Sequence, residues 1–550
     1  MRFPLRNSFL AGFLIYGLLS AEQTPAQLVV QIGQNFTGST YGVNSQSLPP
    51  DANGAIGPRH FMEFINGAVA VYNKTNGLAV QRKSNLAFWS KAGVIISPDA
   101  VVTDPRVIYD PAVQRWFASQ VDADAAAADP TLEANDFLFA VSATSDPTGS
   151  WHGFLFQADP DNGYFADFPT LGVDAGSVYI AGDFYQGQLN PVGPGLISIP
   201  KTDLMASAPT VDNRTWFGVM SYAERGQVLQ PAICVDGSSA GNILAMGDIG
   251  MDSDPHSNLV SFVVQDGAGP GLATLTASTN IEVISYVVPF NSDQGVPMFN
   301  ALQPDGTTTL TGNDARLSAK VYGVAGVLYA VHSTEVDNRM AIRWYRINAT
   351  THVLLESGTI ADPVLDLFFP SIAANADGTM VIGCNGSGPT TYISCYAFVG
   401  ATVNGFTAFE PRILLQAGSI DYHGDDELLA QLQDMPPLSR WGDYSATSVD
   451  PSDPSRFWTI QVYPADSDIW ATQITELVVI NPALSVAHSN ATAVVSWPVA
   501  AKAFNLESKS NLSSADSWIP ITAPFTTNNG RIYFQTPLTN NASFFRLRKP

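Results

Sequence analysis

Residues 103–120, TDPRVIYDPAVQRWFASQ, contain the pattern that decides the fold. A turn with Asp104, Pro105 and Arg106 leads into a short apolar strand, and a second turn at Asp110 leads into another. Val, Ile, Tyr, Phe and Trp favour strands, whereas Gly, Pro and Asp bound them. The stretch therefore predicts a β-hairpin.

The same pattern recurs six more times along the chain. The other copies are LPPDANGAIGPRHFMEFING from Leu48, DFPTLGVDAGSVYIAGDF from Asp167, LQPAICVDGSSAGNILAMGD from Leu229, ARLSAKVYGVAGVLYAVHST from Ala315, FFPSIAANADGTMVIGC from Phe368 and RWGDYSATSVDPSDPSRFWTIQVY from Arg440. A further strand-rich run follows each copy, so every unit holds three or four short strands. Four-stranded units repeated about an axis form a β-propeller, which leaves only short, protected sheet edges.

We therefore predict an all-β protein with a β-propeller of seven blades over residues 27–478. The longest spacing, from Pro231 to Arg316, could hide a strand pair, so six or eight blades remain alternatives, as does a pair of β-sandwiches. The early strand LVVQIGQNF, Leu28–Phe36, could complete the last blade and close the ring. Only LDLFF (365–369) and DDELLAQLQ (425–433) are short helical candidates.

The repeat ends before residue 480, and the sequence pattern changes after it. Residues 481–550 read as short alternating strands, which predicts a small β-sandwich. Arg546, Arg548 and Lys549 near the end could instead belong to a sorting signal.

The first 26 residues predict an export signal. Arg2 and Arg6 precede an apolar run, Phe9–Leu19, and Ala21 or Ala26 could mark the cleavage point. The run is shorter than the roughly 20 residues that span a bilayer, although a retained membrane anchor is the alternative. We expect a protein that is secreted or associated with the cell surface, with no integral membrane segment once the signal is removed.

The charge balance excludes one class of partner. The 550 residues include 26 Lys and Arg against 49 Asp and Glu, a formal net charge of −23. Nucleic-acid binding needs clustered basic residues, so we expect no nucleic-acid partner. We expect a monomer.

Three cysteines are present, and two of them flank a turn-rich stretch. If the runs around Cys384 and Cys395 pair as a hairpin that turns at 385–389, the two thiols face each other within disulfide reach. A disulfide is therefore possible in an oxidising compartment, and two buried free thiols on one sheet face are the alternative.

The stretches DPRVIYDPAVQRWFASQ, VSATSDPTGSW and RWGDYSATSVDPSDPSRFWTIQVY resemble motifs of secreted bacterial β-propeller proteins, similar in plan to sialidase-like, Asp-box-bearing propellers. The tail, with SWP, FNLESKSNL and FFRLRKP, resembles fibronectin type III-like modules. The resemblance implies architecture and compartment, and it leaves the activity open because one fold hosts many functions.

The sialidase comparison extends to particular residues. The turn Ser145–Trp151 has the ingredients of an Asp-box but is shorter. That family's catalytic pattern, three arginines with a tyrosine and an acidic group, maps onto Arg106, Arg316 and Arg440 with Tyr444 and Asp104. Its early Arg-Ile-Pro motif and a matched Glu are absent.

In a propeller, the starts of the innermost strands surround one mouth of the central channel. We expect ligand binding at this mouth, since polar groups that converge on a concavity are the default binding site. The residues predicted there are Asp51, Asn53, Asp104, Arg106, Asp167, Gln230, Arg316, Asp366, Arg440, Asp443 and Tyr444. The structural alternative is that these Asp and Arg side chains cap turns and join blades.

Calcium is the cofactor that this chain could hold. The turn with Asp51 and Asn53 is our best candidate, since carboxylate and amide oxygens suit a hard cation. No EF-hand spacing, nucleophile elbow or phosphate-binding loop occurs. The sequence thus favours an exported protein that binds a glycan, polymer or protein at the propeller mouth. The alternative is a sialidase-like glycoside hydrolase acting at the same place.

Overall fold

Antiparallel strands joined by Gly-, Pro- and Asp-rich turns make up most of the computed structural model. Residues 1–27 are not described, so the predicted export signal lies outside the described residues. The described residues are 28–124, 127–187, 189–249, 254–266, 271–288, 290–291, 296–297, 299–307, 310–424, 439–480, 482, 484–489, 491–512, 517–528, 530–537 and 543–548.

The first three predicted repeats each form one four-stranded antiparallel sheet. Strand β1 (Val29–Thr40) precedes them. The sheets consist of β2 (Asn53–Ile56), β3 (His60–Ile65), β4 (Ala68–Asn73) and β5 (Ala79–Ser84); of β6 (Ala100–Asp110), β7 (Arg115–Asp124), β8 (Asp136–Ser142) and β9 (Trp151–Gln157); and of β10 (Phe165–Val173), β11 (Ser177–Tyr185), β12 (Pro191–Pro200) and β13 (Thr215–Val219).

The fourth and fifth sheets are separated by an insertion. The fourth consists of β14 (Gln227–Pro231), β15 (Asn242–Met246), β16 (His256–Gln265), β17 (Thr274–Leu275) and β18 (Thr279–Tyr286). Two small hairpins follow, β19 (Phe290–Asn291) with β20 (Val296–Pro297) and β21 (Phe299–Ala301) with β22 (Leu310–Asn313). The fifth sheet consists of β23 (Tyr322–Val324), β24 (Val327–Val336), β25 (Arg339–Asn348) and β26 (Leu354–Ile360).

The last two sheets complete the ring. The sixth consists of β27 (Asp366–Ala374), β28 (Thr379–Gly388), β29 (Thr391–Val403), β30 (Phe406–Phe409) and β31 (Ile413–Gln416). The seventh consists of β32 (Ala446–Val449), β33 (Arg456–Asp466) and β34 (Ile469–Ile480), with β1 as its outer strand. Seven blades are thus present among the described residues, and the long spacing holds small hairpins.

The innermost strands lie side by side around the axis. Strand β2 contacts both β6 and β32, β10 contacts β6 and β14, and β27 contacts β24 and β32. Ile233, just after β14, bridges to Tyr322 of β23. The protein is therefore a closed seven-bladed β-propeller, as the repeat predicts.

The N-terminal strand β1 joins the two ends of the propeller. It pairs antiparallel with β34 from Val29 opposite Ile480 to Thr40 opposite Ala471. Glu63 of the first blade, which is fully buried, accepts hydrogen bonds from Ser39 of β1 and Thr472 of β34. The closing strand is therefore tied to both neighbouring blades.

A buried segment of the chain contacts the innermost strands of several blades. Residues 315–321, which we call the axial segment, are largely buried and lead into β23. The carbonyl of Leu317 accepts a hydrogen bond from Gln230, and that of Ser318 accepts one from Arg106. Lys320 donates to the carbonyl of Val107 at 2.6 Å. The axial segment thus contacts the second and fourth blades at once.

Helices are short and peripheral. Helix α1 (Asn85–Ala92) begins after Ser84, whose hydroxyl accepts from the Ala87 N–H, and ends at Gly93 in the left-handed conformation. Phe88 and Trp89 of α1 pack into the core of the first two blades. The other helical turns are α2 (Lys201–Leu204), α3 (Tyr222–Arg225) and the 3-10 turns Pro130–Leu132 and Val499–Ala501.

Two predictions about helices and cysteines need correction. The helical candidate 365–369 is wrong, because its last four residues begin β27; candidate 425–433 lies outside the described residues. The disulfide is also wrong, since Cys384 and Cys395 are free. The hairpin closes at Gly388 opposite Thr391, but the register shifts by one residue between Gly386 and Gly388, so Cys384 lies opposite Tyr396 and Cys395 opposite Asn385. That one-residue offset puts the thiols into different cores rather than on one sheet face.

The tail forms two small sheets around its own apolar cluster. One consists of β35 (Ser485–Ser489), β36 (Thr492–Pro498), β39 (Thr526–Asn528) and β40 (Arg531–Pro537); the other consists of β37 (Asn505–Lys509), β38 (Ile519–Pro520) and β41 (Phe544–Arg548). Trp497, Leu506 and Leu547 from both sheets meet in this cluster. Arg546 and Arg548 pair with Glu507, whereas Lys549 lies outside the described residues. Among the described residues, no helix has the length and apolarity to cross a membrane.

Candidate functional site

Predicted site residues from different blades meet at the strand-start mouth, where the innermost strands begin. One carboxylate oxygen from each of Asp51, Asp104 and Asp443 lies within 4.8 Å of the other two. All three residues are buried, with Asp443 the most exposed at 8%. The propeller therefore brings together side chains that are up to 392 positions apart, as in the hydrogen bond between Asp51 and Asp443.

A repeated backbone feature positions these groups. In five blades, one residue near the start of the innermost strand has a positive φ. These residues are Asp51 (45°), Asp104 (57°), Phe168 (49°), Val228 (56°) and Phe369 (47°). The pairing register slips there, for example between Thr103 and Arg106. A bulge leaves backbone groups unpaired and turns side chains toward a site. The N–H groups of Phe168 and Asp443 accordingly donate to Asp104 and Asp51.

Asn66 joins the carboxylate of Asp51 to the backbone of Asp104. Its Nδ2 donates to Asp51 Oδ2 at 2.7 Å, and its Oδ1 accepts from the Asp104 N–H at 2.9 Å. Burial, followed by the charge of Asp443, raises the pKa of Asp51 to about 7. Burial and the charge of Asp167 raise the pKa of Asp104 well above its usual range. Close carboxylates of this kind retain protons unless a cation offsets their charge.

The three arginines at the mouth have protein partners. Arg106 donates to the carbonyls of Pro169 (2.8 Å) and Ser318 (3.1 Å), and its guanidinium lies 3.5 Å from the centre of the Tyr444 ring. Arg316 binds Asp314 through two nitrogens, at 2.9 and 2.7 Å.

Arg440 pairs with Asp443 at 3.2 Å, and Tyr444 donates to the carbonyl of Pro105. Each guanidinium is therefore engaged within the chain, so the three do not form the shared carboxylate clamp of the sialidase pattern. Tyr444 is buried beneath Arg106.

The insertion before the fifth blade covers one side of the mouth. Asn313, at the end of β22, donates to Asp443 at 2.9 Å, and the Thr311 N–H donates to the carbonyl of Ser439. The Leu302 N–H donates to Asp366, which also receives the Met340 N–H. The insertion therefore contacts Asp443 directly and contributes to its burial.

The side of the mouth formed by the third and fourth blades is more open. Asp167 of β10 and Asp183 of β11 lie directly opposite each other, and Asp167, Arg316, Tyr185 and Tyr222 are partly exposed. Burial is the main reason that the pKa of Asp183 is raised to about 7. The charge of Arg316 opposes this rise, and the charge of Asp167 adds to it. Burial and then the charge of Asp183 raise the pKa values of Tyr185 and Tyr222. We call these five residues the open-side cluster.

Buried polar atoms without protein partners lie at this mouth. Among the described residues they include Nδ2 of Asn53, one terminal nitrogen (Nη2) of Arg106 and Oδ1 of Asp183. A buried polar atom without a partner costs about 1–3 kcal/mol, so such atoms are where ligand or water hydrogen bonds are expected.

The predicted calcium turn has a different set of neighbours. The Asn53 Oδ1 accepts from the Val107 N–H at 3.1 Å, whereas the oxygens close to Asp51 are those of Asp104 and Asp443. Three carboxylate oxygens suit a hard cation. If a cation binds there, Asp104 and Asp443 rather than Asn53 are the partners of Asp51, and calcium stays a prediction.

The Asp-box-like turn has a structural role. Asp146 accepts from the N–H and hydroxyl of Thr148, and Trp151 packs against Phe88 of α1. Sequence reasoning missed Asp183, Tyr185 and Tyr222. The signal for Asp183 was one acidic residue within the otherwise apolar strand VYIAGDF.

Comparisons with known proteins give distant similarities only. No protein-family model matches the chain, and no curated protein is similar to it by sequence. Its fold is similar to the Drosophila semaphorin 1b extracellular domains 1-2 (7% identity, 81% of this chain, 88% of that chain, TM-score 0.36). It is also similar to a PL25 ulvan lyase (8% identity, 81% of this chain, 95% of that chain, TM-score 0.36). A third similar structure is an exo-β-1,3-galactanase from Clostridium thermocellum (10% identity, 82% of this chain, 100% of that chain, TM-score 0.29). At these TM-scores the similarities support no conclusion about function.

Proposed function

We propose that this protein is an exported extracellular binding protein that holds a glycan at the open side of its strand-start mouth. The supporting observation is the open-side cluster, in which two opposed carboxyl groups lie with two tyrosines and Arg316. Carboxylates accept hydrogen bonds from sugar hydroxyls, and tyrosine rings offer apolar faces with a polar edge. The binding of another polymer or of a protein at this cluster is the broader form of the same proposal.

The charge of the cluster favours a neutral glycan. Arg316 is already paired with Asp314, so it only partly offsets the charges of Asp167 and Asp183. The whole chain carries a net charge of −23, which repels acidic polymers at a distance. We therefore expect uncharged polysaccharides to bind more tightly than sulfated or uronic ones.

The compartment rests on the N-terminal pattern of Arg2, Arg6 and the apolar run Phe9–Leu19. We propose cleavage after Ala21 or Ala26 and release from the producing cell, or retention at its surface, in a bacterial source. The tail, which resembles a fibronectin type III-like module, would serve as an accessory or surface-association unit. N-terminal sequencing of the mature protein tests the cleavage: an intact residue 1 would contradict it.

The binding proposal is tested with a glycan array probed with the full mature chain, with and without a chelator. We expect a defined set of neutral glycans to bind. Tyr222→Ala should weaken their binding at least tenfold, since tyrosines are frequent binding hot spots. Tyr392→Ala, a partly exposed tyrosine of the sixth blade, is the matched control and should bind as the wild type does. Binding to nothing under both conditions would contradict the proposal.

A carbohydrate-active enzyme is the second candidate, and one observation favours it. Asp167 and Asp183 are directly opposed, so their Cβ atoms are about 4.5–5.5 Å apart. The pKa of Asp183 near 7 suits a general acid, and paired carboxylates with separated pKa values are the usual equipment of glycoside hydrolysis. Release of reducing ends from the bound glycan, abolished in Asp183→Asn, would establish it. Binding without turnover would exclude it for that glycan.

A further inference from the structure

A cavity lies at the other end of the axis, where the innermost strands finish. Its volume is about 200 Å³, and we call it the strand-end cavity. Six of the seven blades contribute to its wall, among them Ile56, Ile108, Ile233, Tyr322 and Val449. None of the residues predicted at the strand-start mouth lines it, and the axial segment runs from Arg316 at that mouth to Lys320 in the cavity wall. A cavity of roughly 150 Å³ lined by apolar side chains takes a benzene molecule, so this one has room for a ring with a short substituent.

One lysine of the axial segment lines this apolar space. Lys320 is 7% exposed, and its Nζ donates to the carbonyls of Val107 (2.6 Å) and Gly54 (3.3 Å). An ammonium group has three hydrogens to donate, and these two bonds use two of them. Within the described part of the chain no carboxylate forms an ion pair with Lys320. A buried ammonium without a counter-ion is costly, which explains why burial and then Arg106 lower the pKa of Lys320 to about 7.

The acidic groups of the wall have other partners. Asp450 is bound by Lys74 at 2.6 Å. Asp236 lies exposed at the rim and accepts from the N–H groups of Ser238 and Ala325. Neither pairs with Lys320, so a negative group that pairs with its ammonium form would lie inside the cavity.

We propose that the strand-end cavity binds a small molecule with an apolar ring or short chain and a single carboxylate, which pairs with the Lys320 ammonium. The apolar wall takes the body of such a ligand, and the lysine fixes its orientation. Neither feature suits a glycan, whose hydroxyl groups need many polar partners. This site is therefore distinct from the one proposed for glycans.

The test uses sodium benzoate as the probe and benzyl alcohol as its uncharged match, titrated calorimetrically into the full mature chain. We expect one saturable benzoate site per chain. Lys320→Met should weaken benzoate binding at least tenfold and leave benzyl alcohol binding equal or tighter. Lys320→Arg, which retains the charge, should retain measurable benzoate binding. Lys83→Met, on β5, is the matched control and should change neither.

The pH dependence supplies a second readout. Above pH 7 benzoate affinity should fall by about tenfold per unit, because the unliganded amine loses its proton. The other charged groups near this space are Arg106, Asp236 and the Lys74–Asp450 pair, and burial raises the pKa values of the lining tyrosines Tyr109 and Tyr322. Absence of saturable binding, or equal affinity in Lys320→Met, would overturn the proposal. Borohydride can trap benzaldehyde on Lys320 only if the lysine reacts as a neutral amine. Such trapping in a protein that does not bind benzoate would also overturn the proposal.

Discussion

Glu63 holds the seam of the propeller, so its replacement should open the ring at one place. Its Oε1 accepts from the Ser39 N–H (3.1 Å) and the Thr472 hydroxyl (2.5 Å). Its Oε2 accepts from the hydroxyls of Ser39 (2.8 Å) and Tyr72 (2.6 Å). The side chain is fully buried and touches three strands from the first and last blades.

The expected magnitude follows from these four bonds. A hydrogen bond to a charged group contributes about 1.5–3 kcal/mol, and bonds that share one carboxylate are not additive. We expect Glu63→Ala to lower the free energy of unfolding by about 4–6 kcal/mol, since it removes the shared acceptor of four buried donors. Two of them keep a second partner, because the Ser39 N–H also donates to the Thr472 hydroxyl (2.9 Å) and that hydroxyl to the Ser39 carbonyl (3.4 Å). Glu63→Gln should cost only about 1–2 kcal/mol, because the hydroxyls of Ser39 and Tyr72 can rotate to accept from the amide.

Hydrogen exchange measured by mass spectrometry locates the effect. Glu63→Ala should speed exchange in β1, residues 29–40, well before the rest of the propeller. Glu356→Ala is the matched control, because Glu356 similarly joins the fifth and sixth blades through Thr407 and Arg346. That variant should speed exchange near 406–409 and spare β1. Unchanged exchange in β1 of Glu63→Ala, or a loss below about 1 kcal/mol, would refute this account of ring closure.

Three further predictions concern buried polar groups. Lys201 and Asp110 form a buried ion pair at 2.5 Å, so Lys201→Met should lower the free energy of unfolding, measured in urea, by about 3–5 kcal/mol. Adding Asp110→Asn should recover at least half of that loss. A double variant no more stable than the single one would contradict this. The pKa of Asp183 rises from 3.8 to about 7 on folding, so the folded state favours the protonated carboxyl group. As the pH rises from 4 to 7, the free energy of unfolding of the wild type should therefore fall by up to about 4 kcal/mol relative to that of Asp183→Asn. Parallel profiles of unfolding free energy against pH for the two proteins would disprove it. Burial raises the pKa of both Cys384 and Cys395, so neither should react with a thiol reagent before unfolding and no bridge should form under oxidation, as intact-mass analysis would reveal.

The repeat was predictable because each copy carries its own turn chemistry. The turn formed by Asp104, Pro105 and Arg106 has an altered counterpart at the start of each innermost strand. That local pattern is enough to define the blades and to predict that the starts of their innermost strands lie together. The strand β1 was also visible as an apolar run with no partner nearby in sequence. Its partner β34 lies more than 430 positions away, which only the closed ring brings into register.

The accessibility of the site could not be predicted in the same way. Asn313 of an inserted hairpin donates to Asp443, and Thr311 of the same hairpin bonds Ser439, and nothing local to Asp443 in the sequence indicates these contacts. The cysteine pairing failed because the register shifts by one residue between Gly386 and Gly388, and a one-residue shift reverses which face each side chain occupies. Lys320 was overlooked as one cation in an alternating apolar run, although a charge at a core position was a usable signal.

The axial segment links the two ends of the propeller axis, with Arg316 at the strand-start mouth and Lys320 in the wall of the strand-end cavity. The two proposed sites therefore lie on opposite sides of the ring and have different chemistry: acidic and aromatic groups at one, apolar groups with a single lysine at the other. If both proposals hold, the protein can bind two unrelated molecules at the same time, and a variant that abolishes binding at one end of the axis should retain binding at the other.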